Sequence, residues 1–311
     1  MAALLERGDD VVVLDNLSQG HRQAVPQGVK LIEADLANFD TVDAVLGDGP
    51  WHAVLHFAAL SLVGESMAAP MRYLGENGGN GIRLIEACVR HGVRRFVLSS
   101  TANLFGNAPT NPIVEDAPVD PSSPYGESKR IVERALVWAD RMHGLRGASL
   151  RYFNAAGADP AGRLGEDHRP ETHLIPLAID AALGRRPELT IFGDDYATAD
   201  GTGVRDYVHV SDLADAHVRA LERLEAGSVV YNLGNGAGHS VLEVVRTVAK
   251  LAGRPVPYRI GARRAGDPAV LVASSERLRR ETGWTPRYSD LSAMVGTAFA
   301  WRLAHPRGYA D

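Results

Sequence analysis

The sequence predicts an α/β protein built around a doubly wound parallel sheet. Short, continuous apolar runs alternate with helical patterns through the first half of the chain, as expected for strands that are buried on both faces. Such an alternation favours a parallel sheet covered by helices on both sides. Several of the runs end in polar or small residues, which would lie at the carboxyl edge of the sheet, where ligands bind.

The composition is that of an ordinary globular protein that can bury a full core. The chain has 311 residues, of which 45% are hydrophobic and 23% are charged. A net charge of −5 with mixed signs gives no indication of a nucleic-acid surface, and no apolar run reaches membrane-spanning length. Cys88 is the only cysteine, and the amino terminus lacks the pattern of a secretory signal. We therefore expect a cytoplasmic protein with neither nucleic acid nor membrane as a partner.

The first half of the chain contains four apolar runs that we interpret as parallel strands. A short helix at 2–7 closes at Gly8, and helical patterns follow at 41–46 and 71–91. The strands are predicted at 11–14, 29–34, 53–57 and 95–98. Because ligands bind outside the carboxyl ends of such strands, the residues there are expected to face a cofactor: Asp15, Asp35, Phe57 and Thr101.

Asp15 is either a simple turn residue or the acid with which a dinucleotide-binding fold holds the adenosine ribose. Upstream of that acid, a Rossmann-like unit needs a first strand and a glycine-rich turn whose amides hold the pyrophosphate. The chain has neither, since it starts within the helix that should follow that turn. We therefore expect a sheet that lacks its central first strand, with two neighbouring strands exposed, and a natural protein longer than this chain.

The longest helical pattern of the first half runs from Ser123 to Met142. Ser123 is suited to cap this helix, and Pro124 is suited to its first turn. Tyr125 and Lys129 lie four residues apart on one face, where the ammonium can favour ionisation of the phenol. A phenol with a pKa of about 10 needs this charge and a second one, such as an oxidised nicotinamide ring, to act as a base at neutral pH. Taken alone, the pair is more simply explained as a solvated surface pair.

After this helix the alternation continues and a second unit begins. A strand at 148–153 ends in Asn154, and the polar stretch 158–172 then breaks the rhythm. Further strands are predicted at 189–192, 207–209 and 229–233, and further helices at 175–183, after Ser211, at 241–252 and near the carboxyl terminus. We place a Rossmann-like nucleotide-binding domain, truncated at its amino end, at 1–157. A smaller α/β substrate domain, interleaved with the first, is placed at 158–311.

Several segments together resemble one superfamily. The Tyr-x-x-x-Lys pair, with the Ser-Ser-Thr strand end at 99–101 and the Arg-Tyr-Phe-Asn strand end at 151–154, resembles the extended short-chain dehydrogenase/reductases. Within that superfamily the chain is similar to the UDP-glucose (UDP-galactose) 4-epimerase family. The segments that carry this closer likeness are 56–59, 63–66, 191–196, 200–210, 231–234 and 305–309.

The resemblance implies an isomerase that epimerises C4 of a UDP-hexose with NAD as cofactor. Such enzymes pass a hydride from the sugar to NAD, let the 4-keto intermediate turn over, and return the hydride to its other face. By the same resemblance, Tyr125 would take and return the proton of the 4-hydroxyl and Thr101 would bind that hydroxyl. Lys129 would lower the pKa of Tyr125 and hold the nicotinamide ribose. A homodimer is also implied, formed through the helix of Tyr125 and the helix before it.

The resemblance further implies two sets of binding residues. Besides Tyr125 and Lys129, the residues that would line the NAD site are Asp15, Asn16, Asp35, Leu36, Phe57, Ala58, Ala59, Asn77 and Tyr152. Besides Thr101, those that would hold the UDP-sugar are Phe153, Asn154, His173, Leu174, Phe192, Arg205, Tyr207, Arg264 and Asp267. Arginines suit a diphosphate and a carboxylate suits a ribose diol. No arrangement of His, Asp and Glu has convincing metal-ligand spacing, and His217 and His239 are expected to be structural.

Two other readings remain open at this point. The first is a sister nucleotide-sugar 4,6-dehydratase, which shares the Tyr-x-x-x-Lys pair but needs an acid pair after the serine or threonine. Here Thr101 is followed by Ala102 and Asn103, which disfavours that reading. The second is a non-catalytic remnant that binds UDP-sugar without functional NAD, which the absent glycine-rich turn supports.

Overall fold

The computed structural model describes residues 1–106, 110–264 and 267–309. The α-helices are α1 Ala2–Glu6, α2 Phe39–Gly47, α3 Val63–Ala68, α4 Pro70–Tyr73, α5 Asn80–Arg90, α6 Pro124–His143, α7 Leu174–Ala182, α8 Val210–Arg223, α9 Val241–Ala252, α10 Glu276–Thr282 and α11 Leu291–Ala304. The strands are β1 Val12–Asp15, β2 Lys30–Glu33, β3 Val54–His56, β4 Arg95–Ser99, β5 Arg146–Tyr152, β6 Asn154–Ala156, β7 Leu189–Phe192, β8 Val204–His209, β9 Val229–Leu233, β10 Gly238–Ser240, β11 Tyr258–Gly261 and β12 Val270–Leu271.

The main sheet has four parallel strands in the order β3-β4-β5-β9, with helices on both faces. Strand β4 shows why its sequence is continuously apolar. Phe96 and Leu98 pack on one face among residues of α2, α5 and α6, whereas Val97 packs on the other among residues of α8 and α10. All three side chains are fully buried. The predicted doubly wound α/β fold is confirmed by this arrangement.

Strands β1 and β2 form a separate parallel pair. Among the described residues, β1 pairs only with β2, and β3 pairs only with β4. Each of the two strands therefore has one unpaired edge. Leu14 of β1 and Val54 of β3 both pack against the same apolar cluster as α2 and α5, so the two sheets share a core. The arrangement agrees with the expectation of a sheet that lacks its central first strand and leaves two neighbouring strands exposed.

The second unit is a smaller α/β assembly. Helices α7, α9 and α11 bury an apolar core against β7 and β8, and β7 pairs with β11 in parallel. Each unit contains one strand that comes from the other half of the chain. Strand β6 follows the main sheet in sequence but pairs with β8 of the second unit. Strand β9 comes from the second half of the chain and pairs with β5 of the main sheet.

The region 71–91, predicted as one helix, contains a π-helical segment at Leu74–Gly79 between α4 and α5. The glycines here weaken an α-helix, and a π-helical turn admits one extra residue. Gly81 shows what the small side chain provides, because a Cβ atom at that position would lie 2.7 Å from Cγ2 of Val132 on α6. The glycines therefore let α5 approach α6 closely.

None of the helices in the described residues is long and apolar enough to cross a membrane.

Candidate active site

Tyr125 lies in the first turn of α6 and is aimed at the carboxyl end of β4 by local packing. The Ser123 side chain caps the helix by accepting a 3.1 Å hydrogen bond from the Gly126 amide. A Cβ atom on Gly126 would lie 2.5 Å from the carbonyl oxygen of Asn103. The glycine therefore lets the start of the helix lie directly against the turn that follows Thr101.

Thr101 is buried at the end of β4 and starts a 3₁₀ turn at Ala102–Leu104. Its hydroxyl forms a hydrogen bond with the Tyr125 phenol, which acts to lower the pKa of that phenol. Burial has the larger, opposite effect, and the neighbouring Tyr152 phenol adds to it, so the pKa of Tyr125 is raised above its ordinary value. The structure thus brings Thr101 and Tyr125 together as predicted.

Lys129 is buried one turn along α6, and its ammonium donates a 3.0 Å hydrogen bond to the Ser99 carbonyl. Burial lowers the pKa of Lys129 to about 8. The four-residue spacing predicted that this ammonium would lower the pKa of Tyr125. In this structure the pKa of Tyr125 is raised instead, because desolvation of the phenol outweighs the charges and hydrogen bonds around it.

A buried ion pair that was not predicted from the sequence contacts Ser100, the residue that follows β4. Arg151 Nη2 lies 2.6 Å from Glu133 Oε2, and both side chains are less than a tenth exposed. The same carboxylate accepts a 2.6 Å hydrogen bond from the Ser100 hydroxyl. The sequence analysis named Arg151 only as part of a strand-end motif and did not single out Glu133. Their separation of 18 residues links a strand to a helix, which no local pattern reveals.

The predicted cofactor residues at the ends of β1 and β2 lie together. Asn16 donates a 2.7 Å hydrogen bond to Asp35 Oδ2, and the Ala37 amide donates to Oδ1. These two hydrogen bonds lower the pKa of Asp35. Asp15 accepts from the Leu17 amide at 2.7 Å, and a Cβ atom on Gly20 would lie 2.8 Å from its Oδ1. Both carboxylates are therefore held by backbone amides at one edge of the sheet.

The residues that follow β3 are open to solvent. The Phe57 side chain is 52% exposed, and Ala58 and Ala59 are exposed as well. Asn77, on the π-helical segment, is buried and makes hydrogen bonds to both the amide and the carbonyl of Leu60 and to Ser128. Its side-chain amide therefore fixes the backbone just beyond Ala59. Leu36, also predicted to line the NAD site, is partly buried and packs against the main core.

The residues around Lys129 fit the nicotinamide ribose of NAD. An ammonium carries three donors, and within the described chain Lys129 has one acceptor, the Ser99 carbonyl. A buried ammonium with donors to spare suits the hydroxyls of a ribose. Tyr152, which shares a 2.5 Å hydrogen bond with the Ser99 hydroxyl, lies beside the same position. The exposed backbone at Phe57–Ala59 and the held carboxylates at Asp15 and Asp35 provide polar and apolar surface for the rest of such a ligand.

The predicted substrate arginines are both held in place, by different means. Arg205 Nη2 lies 2.8 Å from Asp267 Oδ1. The guanidinium of Arg264 stacks over the ring of Phe192, with its Cζ atom 4.1 Å from the ring centroid. The neighbouring Arg263 is instead paired with Asp195 and stacked on a different ring. Of the two adjacent arginines, Arg264 is therefore the one without a carboxylate partner among the described residues.

The remaining predicted substrate residues lie near the start of the second unit. Asn154 on β6 donates a 2.8 Å hydrogen bond to the Asp206 carbonyl. Tyr207 on β8 is buried, which raises the pKa of its phenol. Phe153 packs against a small apolar cluster with Phe105 and Ile113. His173 immediately precedes α7 and Leu174 begins it.

His173 has two carboxylate neighbours. Its Nδ1 atom lies 2.7 Å from Glu166 and 2.9 Å from Glu171, and these hydrogen bonds raise the pKa of the imidazole to about 10. His168 lies beside the same two glutamates. The four side chains at 166, 168, 171 and 173 thus lie together, a convergence that was not predicted because no periodic pattern specifies the conformation of this loop.

Comparison with known proteins agrees with the site. The model of the NAD dependent epimerase/dehydratase family matches residues 1–234. The chain is 46% identical over 310 residues to the UDP-glucose 4-epimerase of Lacticaseibacillus casei, covering 99% of this chain and 94% of that protein. The crystal structure of UDP-glucose 4-epimerase from Brucella ovis in complex with NAD superposes with a TM-score of 0.93 at 43% identity, covering 96% and 92% of the two chains.

A second solved structure, UDP-glucose 4-epimerase from Bifidobacterium longum in complex with NAD⁺ and UDP, gives a TM-score of 0.93 at 35% identity and covers 99% of this chain and 95% of the other. The similarity thus extends over both units of the fold. The chain belongs to the NAD dependent epimerase/dehydratase family and, within it, to the UDP-glucose 4-epimerases.

Proposed function

We propose that this chain interconverts UDP-galactose and UDP-glucose by epimerisation at C4, through a transient 4-keto sugar. The observation that carries the proposal is the group formed by a phenol, a hydroxyl and a buried ammonium at the end of β4. The Thr101 hydroxyl is hydrogen-bonded to the Tyr125 phenol, and Lys129 lies one turn beyond Tyr125 on α6. Relatives named UDP-glucose 4-epimerase align over almost the whole chain.

The residues of the chain would handle the proton and hold the sugar. Tyr125 takes the proton of the 4-hydroxyl and later returns it to the oxygen, acting first as base and then as acid. Thr101 holds the same hydroxyl at the phenol. When bound, NAD would supply a reversible acceptor for the hydride on C4 of the sugar. It would also supply a positive charge that favours ionisation of Tyr125. Lys129 binds the nicotinamide ribose and adds its own charge.

The UDP portion would be held by the second unit. Arg205 and Arg264 supply the cations for the diphosphate, and the pairing of Arg205 with Asp267 fixes the direction of its guanidinium fork. Asp267 keeps an oxygen available for a ribose hydroxyl. The proposal for these residues rests on the resemblance and on their positions, one held by a carboxylate and one stacked on Phe192.

A 4,6-dehydratase is disfavoured at the same site. That reaction needs an acid pair placed after the serine or threonine, and in this structure Thr101 is followed by the 3₁₀ turn Ala102–Leu104, which carries no carboxylate. A UDP-sugar binder that does not use NAD is the remaining alternative, and it is distinguished by the experiment below.

The experiment measures UDP-glucose formed from UDP-galactose by the purified chain in the presence of NAD. We expect turnover by the unaltered chain and a loss of about 10²–10⁴-fold in kcat in Tyr125→Phe. Tyr231→Phe is a matched control, because Tyr231 is also a buried tyrosine but bonds Glu281 far along the chain. Binding of UDP without any turnover would favour the binder over the epimerase.

We also propose that the chain acts in the cytoplasm as a homodimer joined through α5 and α6. These helices carry large apolar side chains that are open to solvent, notably Trp138 at 57%, Met142 at 67% and Ile82 at 43% exposure. Trp138 and Met142 are four residues apart and share one face of α6. Sedimentation of the unaltered chain and of Trp138→Glu tests this, with a dimer expected for the first and a monomer for the second.

A further inference from the structure

Four potential metal ligands converge on the segment between β6 and α7. They are Glu166, His168, Glu171 and His173, and one ligand atom from each lies within 4.8 Å of all the others. The segment contains no helix or strand, so its loop conformation, rather than a periodic pattern, brings these side chains together. The two imidazole rings are tilted by 49° to each other, with their centroids 5.0 Å apart.

The distances suit a single small ion. Ligand atoms about 2.0 Å from a tetrahedral zinc ion lie roughly 3.3 Å from one another. Here His168 Nδ1 lies 3.2 Å from Glu166 Oε1 and 3.8 Å from Glu171 Oε2, whereas His173 Nδ1 lies 2.7 Å from Glu166 Oε1. The observed separations therefore fall on both sides of the tetrahedral value, and small side-chain rotations are enough to equalise them.

Two of these atoms lack hydrogen-bond partners within the described chain. Glu171 Oε2 and His168 Nδ1 are both buried atoms without a hydrogen bond. The Glu171 side chain is only 10% exposed, and its unpartnered oxygen is directed towards His168. A buried carboxylate oxygen without a partner costs free energy, and a bound cation removes that cost. Glu171 Oε1 already accepts hydrogen bonds from the Thr172 and His173 amides, so Oε2 is the oxygen that remains for a cation.

We propose that Glu166, His168, Glu171 and His173 bind one divalent transition-metal ion of the zinc class. Two carboxylates balance the charge of the ion, and two neutral imidazoles complete a four-coordinate set. The ion would take the place of the proton that His173 shares with Glu171 and Glu166. Imidazole nitrogen selects zinc, cobalt or nickel over magnesium and calcium, which prefer oxygen ligands alone.

The site would stabilise a connection between the two units, and of its four ligands only His173 is also a predicted UDP-sugar residue. His21, in the connection after β1, contacts the Asp167 carbonyl at 2.8 Å, and Gln19 donates to the Arg169 carbonyl. On its other side the segment leads directly into α7 through His173. An ion held at 166–173 therefore fixes the path of the chain between the strand that carries Asp15 and the helix that begins the second unit.

In the test, the tag-free, EDTA-treated protein is titrated with Zn²⁺ and binding is measured by calorimetry. The number of bound ions per chain is then determined by metal analysis after dialysis. We expect one ion per chain, a higher Tm with Zn²⁺ and no such effect of Mg²⁺. With Co²⁺ we expect the strong visible absorption of a four-coordinate site. Absence of binding, or several weak ions per chain, would overturn the proposal.

Variants assign the ligands without relying on activity. Glu171→Gln and His168→Gln should each weaken Zn²⁺ binding by at least about tenfold and abolish the Co²⁺ spectrum. His91→Gln is the matched control, because it removes a histidine that contacts a carboxylate, Asp43, outside the cluster. If the control weakened binding as much as the cluster variants, or if the cluster variants bound Zn²⁺ normally, these four residues would not be the site. Circular dichroism of each variant checks that it is folded.

Discussion

The Lys129 ammonium donates a 3.0 Å hydrogen bond to the carbonyl oxygen of Ser99, and both residues are buried. This contact joins the first turns of α6 to the carboxyl end of β4. The Ser99 hydroxyl, in turn, shares a hydrogen bond with Tyr152 on β5. A charged group is thus buried with a single backbone acceptor among the described residues, which has consequences for stability as well as for catalysis.

Lys129 should make the stability of the protein depend on pH in a recognisable way. Burial lowers its pKa in the folded chain to about 8, whereas an unfolded lysine titrates near 10.5. Between these values the unfolded chain binds more protons, so the free energy of unfolding rises with pH. The cost of burying the charge is fully present below pH 8. We expect the free energy of unfolding of the unaltered chain to rise by up to about 3 kcal/mol relative to Lys129→Met between pH 8 and 10.5.

Urea denaturation of both proteins across this pH range measures the difference, in which the titration of other groups cancels. Lys250→Met serves as the control, since Lys250 lies exposed near the end of α9 and should show no such trend. A difference between Lys129→Met and the unaltered chain that stayed constant from pH 7 to 10.5 would contradict the lowered pKa.

The Thr101 hydroxyl should contribute to turnover through its hydrogen bond to Tyr125. That bond acts to lower the pKa of the phenol, so its loss makes the phenol harder to ionise. We expect Thr101→Val to reduce kcat by about 10- to 100-fold, the range for loss of a hydrogen bond to a charged group. The alkaline shift of the pH profile of kcat/KM is the more specific readout, because a purely structural defect would not produce it.

Thr101→Ser is the conservative variant, since it keeps the hydroxyl and loses only a methyl group. It should retain most of the activity and the original pH profile. Equal losses in the serine and valine variants would show that packing, and not the hydroxyl, accounts for the effect.

The shared helix face of Tyr125 and Lys129 could be predicted from the sequence, but the surroundings of the two side chains could not. Tyr125 and Lys129 are four residues apart on a helix whose cap and first turn are legible in the sequence, so their common face followed directly. The direction of the shift in the pKa of Tyr125 did not follow, because it depends on how deeply tertiary packing buries the phenol. Desolvation is a property of the whole fold, and a spacing of four residues carries no information about it.

The Arg151–Glu133 pair should be costly to break from one side only. Both side chains are less than a tenth exposed, and Arg151 also donates to the Glu115 carbonyl. Removing the carboxylate leaves a buried guanidinium without its counter-charge. We expect Glu133→Ala to lower the free energy of unfolding by about 3–5 kcal/mol, as measured by urea denaturation.

Replacing both partners at once separates the pair from simple packing. In Glu133→Leu combined with Arg151→Met, no buried charge remains, and we expect most of the lost stability to return. If the double variant were as unstable as the sum of its two single variants, the two side chains would be independent of each other and the interpretation as a coupled pair would fail.

Contacts between distant parts of the chain explain the other differences between prediction and structure. Arg205 and Asp267 were both predicted to hold the substrate, yet their separation of 62 residues gave no reason to expect an ion pair. The predicted helix at 71–91 was interrupted by a π-helical segment, whose Asn77 side chain is held by Leu60 and Ser128. Sequence periodicity predicts the helices and strands. The ion pair and the π-helical segment depend on contacts with residues far away in the sequence, which periodicity does not predict.

The adjacent arginines at 263 and 264 should differ sharply in their effect on UDP binding. Arg263 is held by Asp195, so its charge is already neutralised locally. Arg264 stacks on Phe192 and has no carboxylate partner in the part of the chain that the structure describes, which leaves its guanidinium free for a diphosphate. We expect Arg264→Ala to raise the Kd for UDP by about 10- to 100-fold, the cost of one charge-assisted hydrogen-bonded contact, and Arg263→Ala to change it by less than about threefold.

Calorimetric titration with UDP measures both constants without requiring turnover, so the result does not depend on the state of the cofactor. Arg264→Lys refines the comparison, because lysine keeps the charge but loses the planar group that stacks on Phe192 and binds two oxygens at once. An intermediate Kd for the lysine variant is therefore expected. Equal effects of the alanine substitutions at 263 and 264 would mean that the diphosphate senses only the general positive charge of this segment, and the assignment of Arg264 would be wrong.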